Sequence, residues 1–530
     1  MVDQKKPRSI YLRAAWYGET PDFNPYNEIS RNLKQAVSMG KMSHPDNLES
    51  LMKLLYETNR RYGVLTQEVK EKIDSIASGV AITAHQPIYL GGPSLILNKM
   101  ALASEVSKIS ELSPLFFLAD FDGVHKEITH THLPSLSPAG IALLLPRDII
   151  KDYEGCPVYT LPLPSEAHLT DTLERIRQNY GETIKKAFSS PAEKRLYIER
   201  LEEALTVVRT QYYASKNFSE WTMRILANIA NITGELNIMF LESSSREFRR
   251  LLQGGFEYLM GDKNLDTFIK TINRVHDQLK ENNITPTLRK RDKKYVPFFY
   301  ECQSQGCNRR RVLLERENTI LKGRCKKCGT AYGFSKNELS DIVEDISPRI
   351  DSRLLVSSFA IPLSVQITGG GETDYMAQVL PAMRSIKVDP PTTLLYSRIY
   401  YNNVIRAHLE VKIKQLLEKY GLPESEIYTC LGRYMNNATR EEAMIPLTLA
   451  IEQEYRTLKK LEEIAKERDV SLYISSAHGS YSKEKVGQEI SWNWIDLAVS
   501  SGVSDLINIY TRFYNAETIP GACFFANTCR

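Results

Sequence analysis

Two glycine-bearing turns constrain this chain more than any other feature. They are Ala84-His85-Gln86-Pro87-Ile88-Tyr89-Leu90-Gly91-Gly92-Pro93 and Thr368-Gly369-Gly370-Gly371-Glu372-Thr373-Asp374-Tyr375. Each follows an apolar run (Val80-Ala81-Ile82, and Leu363 to Ile367), and each precedes a stretch of helical periodicity. A strand, a glycine turn and a helix N-terminus together expose backbone N–H groups at a positive dipole end, a geometry suited to phosphate or carboxylate. Glycine lets a ligand approach the backbone closely. Neither turn is a P-loop or a GxGxxG fingerprint, and glycine turns also link α/β elements that bind nothing.

The rest of the chain divides around these turns. At 530 residues it exceeds the size of a single core, so two to four domains are expected. Residues 1–75 read as a helical segment, 76–292 as an α/β core with a helical insertion, and 293–336 as a cysteine module. Residues 337–391 return to the α/β core, and Pro390-Pro391 marks a boundary. Within the core, Val80–Thr83, Leu115–Asp120 and Leu236–Leu241 read as strands, and Ser94–Ala101 as a helix. Glu242-Ser243-Ser244-Ser245 has the composition of a helix start. In 392–470, Ile405, Leu409, Ile413, Leu416 and Tyr420 recur at helical spacing, as do Ile451, Tyr455, Leu458, Leu461 and Ala465. These predict an antiparallel coiled-coil arm that can also serve a homodimer. Residues 471–530 form a C-terminal segment with short apolar runs.

Charge is nearly balanced, with 68 basic and 64 acidic residues and a net of +4. That gives no warrant for a nucleic-acid or membrane-coating role. Ile141–Leu145 is among the longest purely apolar runs, far short of a membrane span. Met1-Val2-Asp3-Gln4-Lys5-Lys6 lacks the pattern of a signal peptide, and a cytoplasmic location is expected.

Four of the eight cysteines form the most specific local pattern. Four residues separate Cys302 from Cys307, two separate Cys325 from Cys328, and seventeen lie between the pairs. Two close pairs of thiolates fit a tetrahedral Zn²⁺ with no open position, hence a structural zinc ribbon; redox-active thiols are the alternative. Gly306, Gly323 and Gly329 would let the loops turn towards the metal. Arg309, Arg310, Arg311, Lys326 and Lys327 would give the ribbon either an RNA-facing side or simply solvated charge. Cys156, Cys430, Cys523 and Cys529 lack an adjacent His or Lys and read as buried structural residues.

The segment Asp120-Phe121-Asp122-Gly123-Val124-His125-Lys126-Glu127 continues through His130 and His132. Such a loop can bind an amine, act as general base or hold a divalent metal; a buried hydrogen-bonded network without chemistry is the other reading.

Read together, these segments resemble the cysteine-adding ligase family of bacillithiol biosynthesis. The family's Thr-Gly-Gln-Gln turn running into Leu-Phe-Gly-Gly-Pro is matched by Thr83-Ala84-His85-Gln86 and Tyr89-Leu90-Gly91-Gly92-Pro93, with Asn98-Lys99 in the next helix. Its Phe-Trp-Ile-Ala-Gly-Glu-Asp-His-Asp-Phe-x-Glu-Ile segment is similar to Phe116 through Ile128. Its Tyr-Val-Gly-Gly-Pro-Gly-Glu-Ile-Ala-Tyr is similar to Gln366 through Tyr375. Phe218-Ser219-Glu220-Trp221, leading to Leu236–Leu241, also sits where the family places a helix and a core strand. The resemblance spans roughly residues 20 to 470, with three specific blocks. Gly-Gln-Gln is replaced by Ala84-His85-Gln86, the acidic block is altered, and the zinc module is an addition similar to insertions of class I synthetases.

The resemblance implies a Rossmann-like core related to class I aminoacyl-tRNA synthetases and nucleotidylyltransferases. It implies amide formation between cysteine and an amino sugar conjugated to malate, with ATP as co-substrate. Backbone N–H groups at Gly91, Gly92, Gly369, Gly370 and Gly371, with Lys99 and His85, would stabilise phosphate charge; Gln86 and Asn98 would line the same site. Asp120, Asp122, His125 or Glu127 would hold the amine and take its proton. Glu372 and Tyr375 would orient substrate; if the turns converge, Glu372→Gln is expected to leave the fold stable and abolish turnover, whereas a purely structural Glu372 would cost stability instead. No KMSKS-like loop is visible. The rival reading is a non-catalytic Rossmann scaffold that grips RNA or a protein partner through ribbon and arm. The ligase reading requires both glycine turns and the acidic loop to converge at one edge of a single parallel sheet.

Overall fold

The apolar runs beside the two glycine turns become neighbouring strands. The computed structural model describes residues 45–135, 140–282, 284–405 and 488–518, with residues 33, 34, 38, 42, 43, 415, 418, 419, 421, 520, 521, 523–526 and 528. The central sheet contains β1 (Val80–His85), β2 (Ser113–Leu118), β3 (Met239–Glu242), β4 (Leu363–Thr368) and β5 (Thr392–Leu395). Their spatial order is β5-β4-β1-β2-β3, and every neighbouring pair is parallel. This is the doubly wound arrangement, and the chain reverses its direction of growth between β1 and β4.

Both faces of the sheet are covered, which explains strands that are apolar at consecutive positions. Val80, Ile82, Leu115 and Phe117 face one core; Ala81, Phe116 and Leu118 face the other. Helix α1 (Leu48–Arg61) packs beside β3, where Asn59 exchanges hydrogen bonds with the backbone of Phe240. The β1–β2 crossover is α2 (Leu95–Lys108), almost wholly buried. The β2–β3 connection holds two long helices, α3 (Glu166–Ala187) and α4 (Pro191–Tyr213). The β3–β4 connection carries α5 (Asp262–Glu281) and a five-stranded antiparallel sheet built from 298–301, 311–317, 320–324, 331–335 and 346–348. Helix α6 (Gly370–Ser385) links β4 to β5.

The C-terminal segment returns to the first glycine turn. Trp494 Nε1 donates to Leu90 O at 2.8 Å, Trp494 N to Gly92 O at 3.2 Å, and Ser94 N to Trp492 O at 3.1 Å. Helix α7 (Trp494–Ser501) then packs on α4, with Asp496 accepting from Tyr180, Tyr401 and Asn403. The stretch expected to open the coiled-coil arm instead continues the core, with β5 at 392–395 and a further strand at Arg398–Tyr401. Of the arm's periodic positions only Ile405 is described; the others, with the dimer contact expected of them, lie outside the described residues, as do Cys430 and Cys529. No helix among the described residues is long and apolar enough to cross a membrane.

This docking changes the reading of Gly91 and Gly92. Their amides already donate to Ile88 O at 3.0 Å and Tyr89 O at 3.3 Å, so neither is free to cradle an anion. Gly91 has φ +83°, and a Cβ there would meet Trp494 Nε1 at 2.7 Å and Ile225 Cγ2 at 2.9 Å. The glycine makes room for the indole. Gly91→Ala is therefore expected to destabilise the protein by about 2 kcal/mol or more, through overpacking and left-handed strain. Thermal unfolding checks this; an unchanged melting temperature would show that the turn and Trp494 are not packed as described.

Candidate functional site

In a parallel sheet all strands end at the same edge, so His85, Leu118, Glu242 and Thr368 lead into one region. The second glycine turn and the acidic loop meet there, either side of the residues that leave β1. Helix N-termini and strand ends at a switch point form the crevice in which open α/β sheets bind ligands.

The link across the switch point is Lys99 of α2 with Glu372 of α6. Lys99 is 1% exposed; its Nζ donates to Glu372 Oε2 at 2.6 Å and to Ala84 O at 2.7 Å. The same carboxylate oxygen accepts from Gly369 N at 2.7 Å, capping α6. An α-helix leaves its first amides without internal partners, and here those of Gly370 and Gly371 lie at the crevice. A Cβ on Gly371 would meet nothing within 4 Å. Glu372 thus has structural partners as well as being exposed to the site, and a stability cost is expected of Glu372→Gln where the sequence alone leads one to expect a stable fold.

His85 is half-buried, with Nδ1 3.0 Å from Gln86 O. Burial, followed by the neighbouring Lys99 ammonium, holds its pKa below the ordinary imidazole range. That direction favours the neutral imidazole at neutral pH, a form able to accept a proton. Gln86 turns the other way, donating from Nε2 to Asp122 Oδ2 at 3.1 Å. Asp122 also pairs with Arg353, whose guanidinium lies 5.0 Å over the Phe121 ring. Tyr375 is buried, and burial followed by Glu372 raises its pKa. His125 and Glu127 are exposed at the rim, 3.9 Å apart.

Two of the expected residues are occupied elsewhere. Asp120 accepts from Ser243 Oγ, Ser244 N and Ser244 Oγ at 2.6–2.8 Å, tying the end of β2 to the end of β3. Burial, then Glu242, pushes its pKa up to about 7. Asn98 is fully buried, donating to Ser397 O and Glu489 and accepting from Tyr514 at 2.5 Å. It anchors the C-terminal segment and is not on the crevice.

The cysteine ribbon docks beside this edge. The Sγ atoms of Cys302, Cys307, Cys325 and Cys328 lie within 4.8 Å of one another and could hold a metal ion. Cys156 is buried, with its thiol 3.6 Å from Cys307 O and raised in pKa by burial. The arginines expected to be solvated or RNA-facing turn inward. Arg309 pairs with Glu301 at 2.9 Å and with Asp345, and Arg310 donates to the carbonyls of Glu154 and Asp152. Arg311 Cζ sits 3.8 Å over the Phe299 ring. Lys326 and Lys327 are exposed. Sequence reasoning missed Arg353 and Glu301, whose partners are distant in the chain and carry no local signature.

A parallel sheet wound in both directions from β1, with its ion-paired helices at the switch point, defines a Rossmann-like α/β protein. The family model described as "Bacillithiol biosynthesis BshC, N-terminal Rossmann-like domain" matches residues 20–398, and the chain belongs to that family. No curated protein matches the chain significantly.

If the switch-point pair carries stability, Glu372→Gln should cost about 2 kcal/mol, less than the removal of one partner from a fully buried pair because Glu372 is partly exposed. The double variant Lys99→Met/Glu372→Gln should cost less than the sum of the two single changes. Denaturation of all three measures this; strict additivity would show that the two charges do not interact.

Proposed function

We propose that the chain is an enzyme that joins the carboxyl group of an amino acid, cysteine, to the amine of a small amino-sugar conjugate, with ATP as co-substrate. Family membership supports bacillithiol biosynthesis as the setting. The observation that carries the reading at the level of residues is the Lys99–Glu372 pair beside a capped helix N-terminus at the sheet's switch point. Because Glu372 neutralises Lys99, the unpaired amides of Gly370 and Gly371 are left as the electropositive element, a setting that favours phosphate or carboxylate.

Activation transfers a phosphoryl or adenylyl group to the carboxylate; the amine then attacks the acyl carbon, losing a proton as phosphate or AMP departs. Charge on the transferred group would be met by the α6 N-terminus and the remaining N–H of Lys99. The amine has to be neutral to attack, and His85, held neutral, is the group best suited to take its proton. Asp122, His125 and Glu127 line the side from which the amine would approach, and Gln86 and Tyr375 would fix its orientation. Gly91, Gly92, Asn98 and Asp120 are not needed by this scheme.

The rival scaffold reading is weakened at the ribbon, since Arg309 and Arg310 bind within the chain and only Lys326 and Lys327 of its basic set stay exposed. Incubating the protein with ATP, cysteine and the amino-sugar malate conjugate should give an amide product by mass spectrometry. AMP or ADP release would identify the mode of activation. His85→Ala should lower turnover at least a hundredfold with an unchanged far-UV spectrum. Undiminished turnover would remove His85 from the chemistry, and no product from any amino acid would leave the scaffold reading.

We also propose that the ribbon holds one structural Zn²⁺. Cys302 and Cys328 Sγ are 3.7 Å apart and Cys307 and Cys325 Sγ 4.0 Å, close to the roughly 3.8 Å edge of a tetrahedron with Zn–S of about 2.3 Å. Four thiolates complete the shell, so the ion would hold the fold and take no part in the reaction. Elemental analysis should give about one zinc per chain, and Cys325→Ser should lose both metal and solubility. Metal-free yet soluble, unoxidised protein would refute this.

A further inference from the structure

Where the ribbon meets the core, three guanidinium groups are gathered around too little negative charge. Phe299 carries two of them: Arg311 Cζ lies 3.8 Å from the ring centroid and Arg349 Cζ 5.3 Å. Arg349 is also 4.7 Å from the Tyr295 ring. Arg353 lies on Phe121 and pairs with Asp122. Arg311 reaches the same loop, since a Cβ on Gly123 would be 3.0 Å from its Nη1. Aromatic faces thus hold all three planar groups in place without neutralising them.

The nearby carboxylates are already used. Glu301 binds Arg249 at 2.8 Å and Arg309 at 2.9 Å; Asp351 binds Arg291 at 2.7 Å and Tyr295 at 2.6 Å. Among the described residues, no carboxylate forms an ion pair with Arg311 or Arg349, and the Nε atoms of Arg311 and Arg353 have no hydrogen-bond partner. Burial lowers the Arg311 pKa to about 10; Asp122 and Glu301 oppose this, and Arg353 and Arg349 add to it. All three arginines are half-buried. Positive charge partly withdrawn from water and short of carboxylate partners is costly, and a bound counter-ion would lower that cost. Guanidinium forks match the paired oxygens of phosphate and carboxylate.

We propose that Arg311, Arg349 and Arg353 form a binding site for a compact dianion, the phosphate or dicarboxylate end of a small molecule, at the seam between ribbon and core sheet. The site connects to the crevice through Asp122 and Gln86. It stands independently of the reaction proposed above, because binding alone reads it.

The test titrates the full chain with inorganic phosphate and, separately, with succinate at constant ionic strength, chloride serving as control. Melting temperature and calorimetry are followed. At least one anion should bind saturably where chloride does not, and the anion that binds identifies the ligand class. Arg311→Gln and Arg349→Gln should each weaken that binding at least tenfold, whereas the exposed pair Lys326→Gln/Lys327→Gln should leave it unchanged. Gly123→Asp, which places a carboxylate beside Arg311, should blunt the response and keeps the test decisive if Arg311→Gln does not fold. The proposal is overturned if neither anion exceeds chloride, or if Arg311→Gln or Gly123→Asp binds like the wild type.

Discussion

A buried ammonium next to the point where the sheet reverses direction sets the terms for the site. Lys99 is on the helix after β1 and Glu372 on the helix after β4, the two strands that flank the reversal. A lysine taken out of water without an anion would shed its proton or unfold its surroundings. Its pairing therefore fixes the position of α6 against α2. Because the same Glu372 oxygen caps α6 through Gly369 N, one carboxylate satisfies an ammonium and a helix end together. The remaining first-turn amides then face a space whose side-chain charges cancel, and the helix dipole is not masked by them.

The ribbon depends on a second buried charge. Glu301 is fully buried, forms an ion pair with Arg249, and accepts hydrogen bonds from Arg309 and Tyr159, the last at 2.5 Å. These three partners come from the helix after β3, the ribbon itself and the insertion after β2. Glu301 directly precedes Cys302, so the residue that docks the ribbon and the residue that would ligate its metal are neighbours on one strand end. Loss of metal would therefore disturb the docking of the ribbon, not only its own knuckles. It also explains why Arg309, the first of the ribbon's arginine run, is turned towards the protein: the buried acid pairs with it there.

Much of the core was legible because its signals are local. Apolar runs ending in turn residues gave β1, β2 and β4 to within a residue or two, and strict parallel pairing then brought their ends together across nearly 290 residues. The cysteine spacing was legible for the same reason. Roles that depend on distant partners were not. Gly91 and Gly92 look like an anion turn until Trp494 is found packed against them. Asn98 looks like a site residue until Ser397, Glu489 and Tyr514 take its amide. Asp120 looks like a base but is spent on the serines after β3, which the sequence marks only as a helix start. In each case the residue type was read correctly, and the partner, far off in sequence, decided what it does.

The dipeptide leaving β1 shows how one strand end can serve two sides of a crevice. Successive residues of extended backbone point in opposite directions. His85 accordingly lies by Lys99 and Glu372, while Gln86 reaches Asp122 and, through it, Arg353. On the first side the charges cancel and a neutral imidazole is held beside a helix N-terminus, which suits proton transfer. On the second, Asp122 is outnumbered by three arginines, which suits holding an anion. In the proposed scheme chemistry and charge recognition would be separated by one residue of backbone, and a substrate spanning both sides would be positioned by its anionic end before its reactive group met the imidazole.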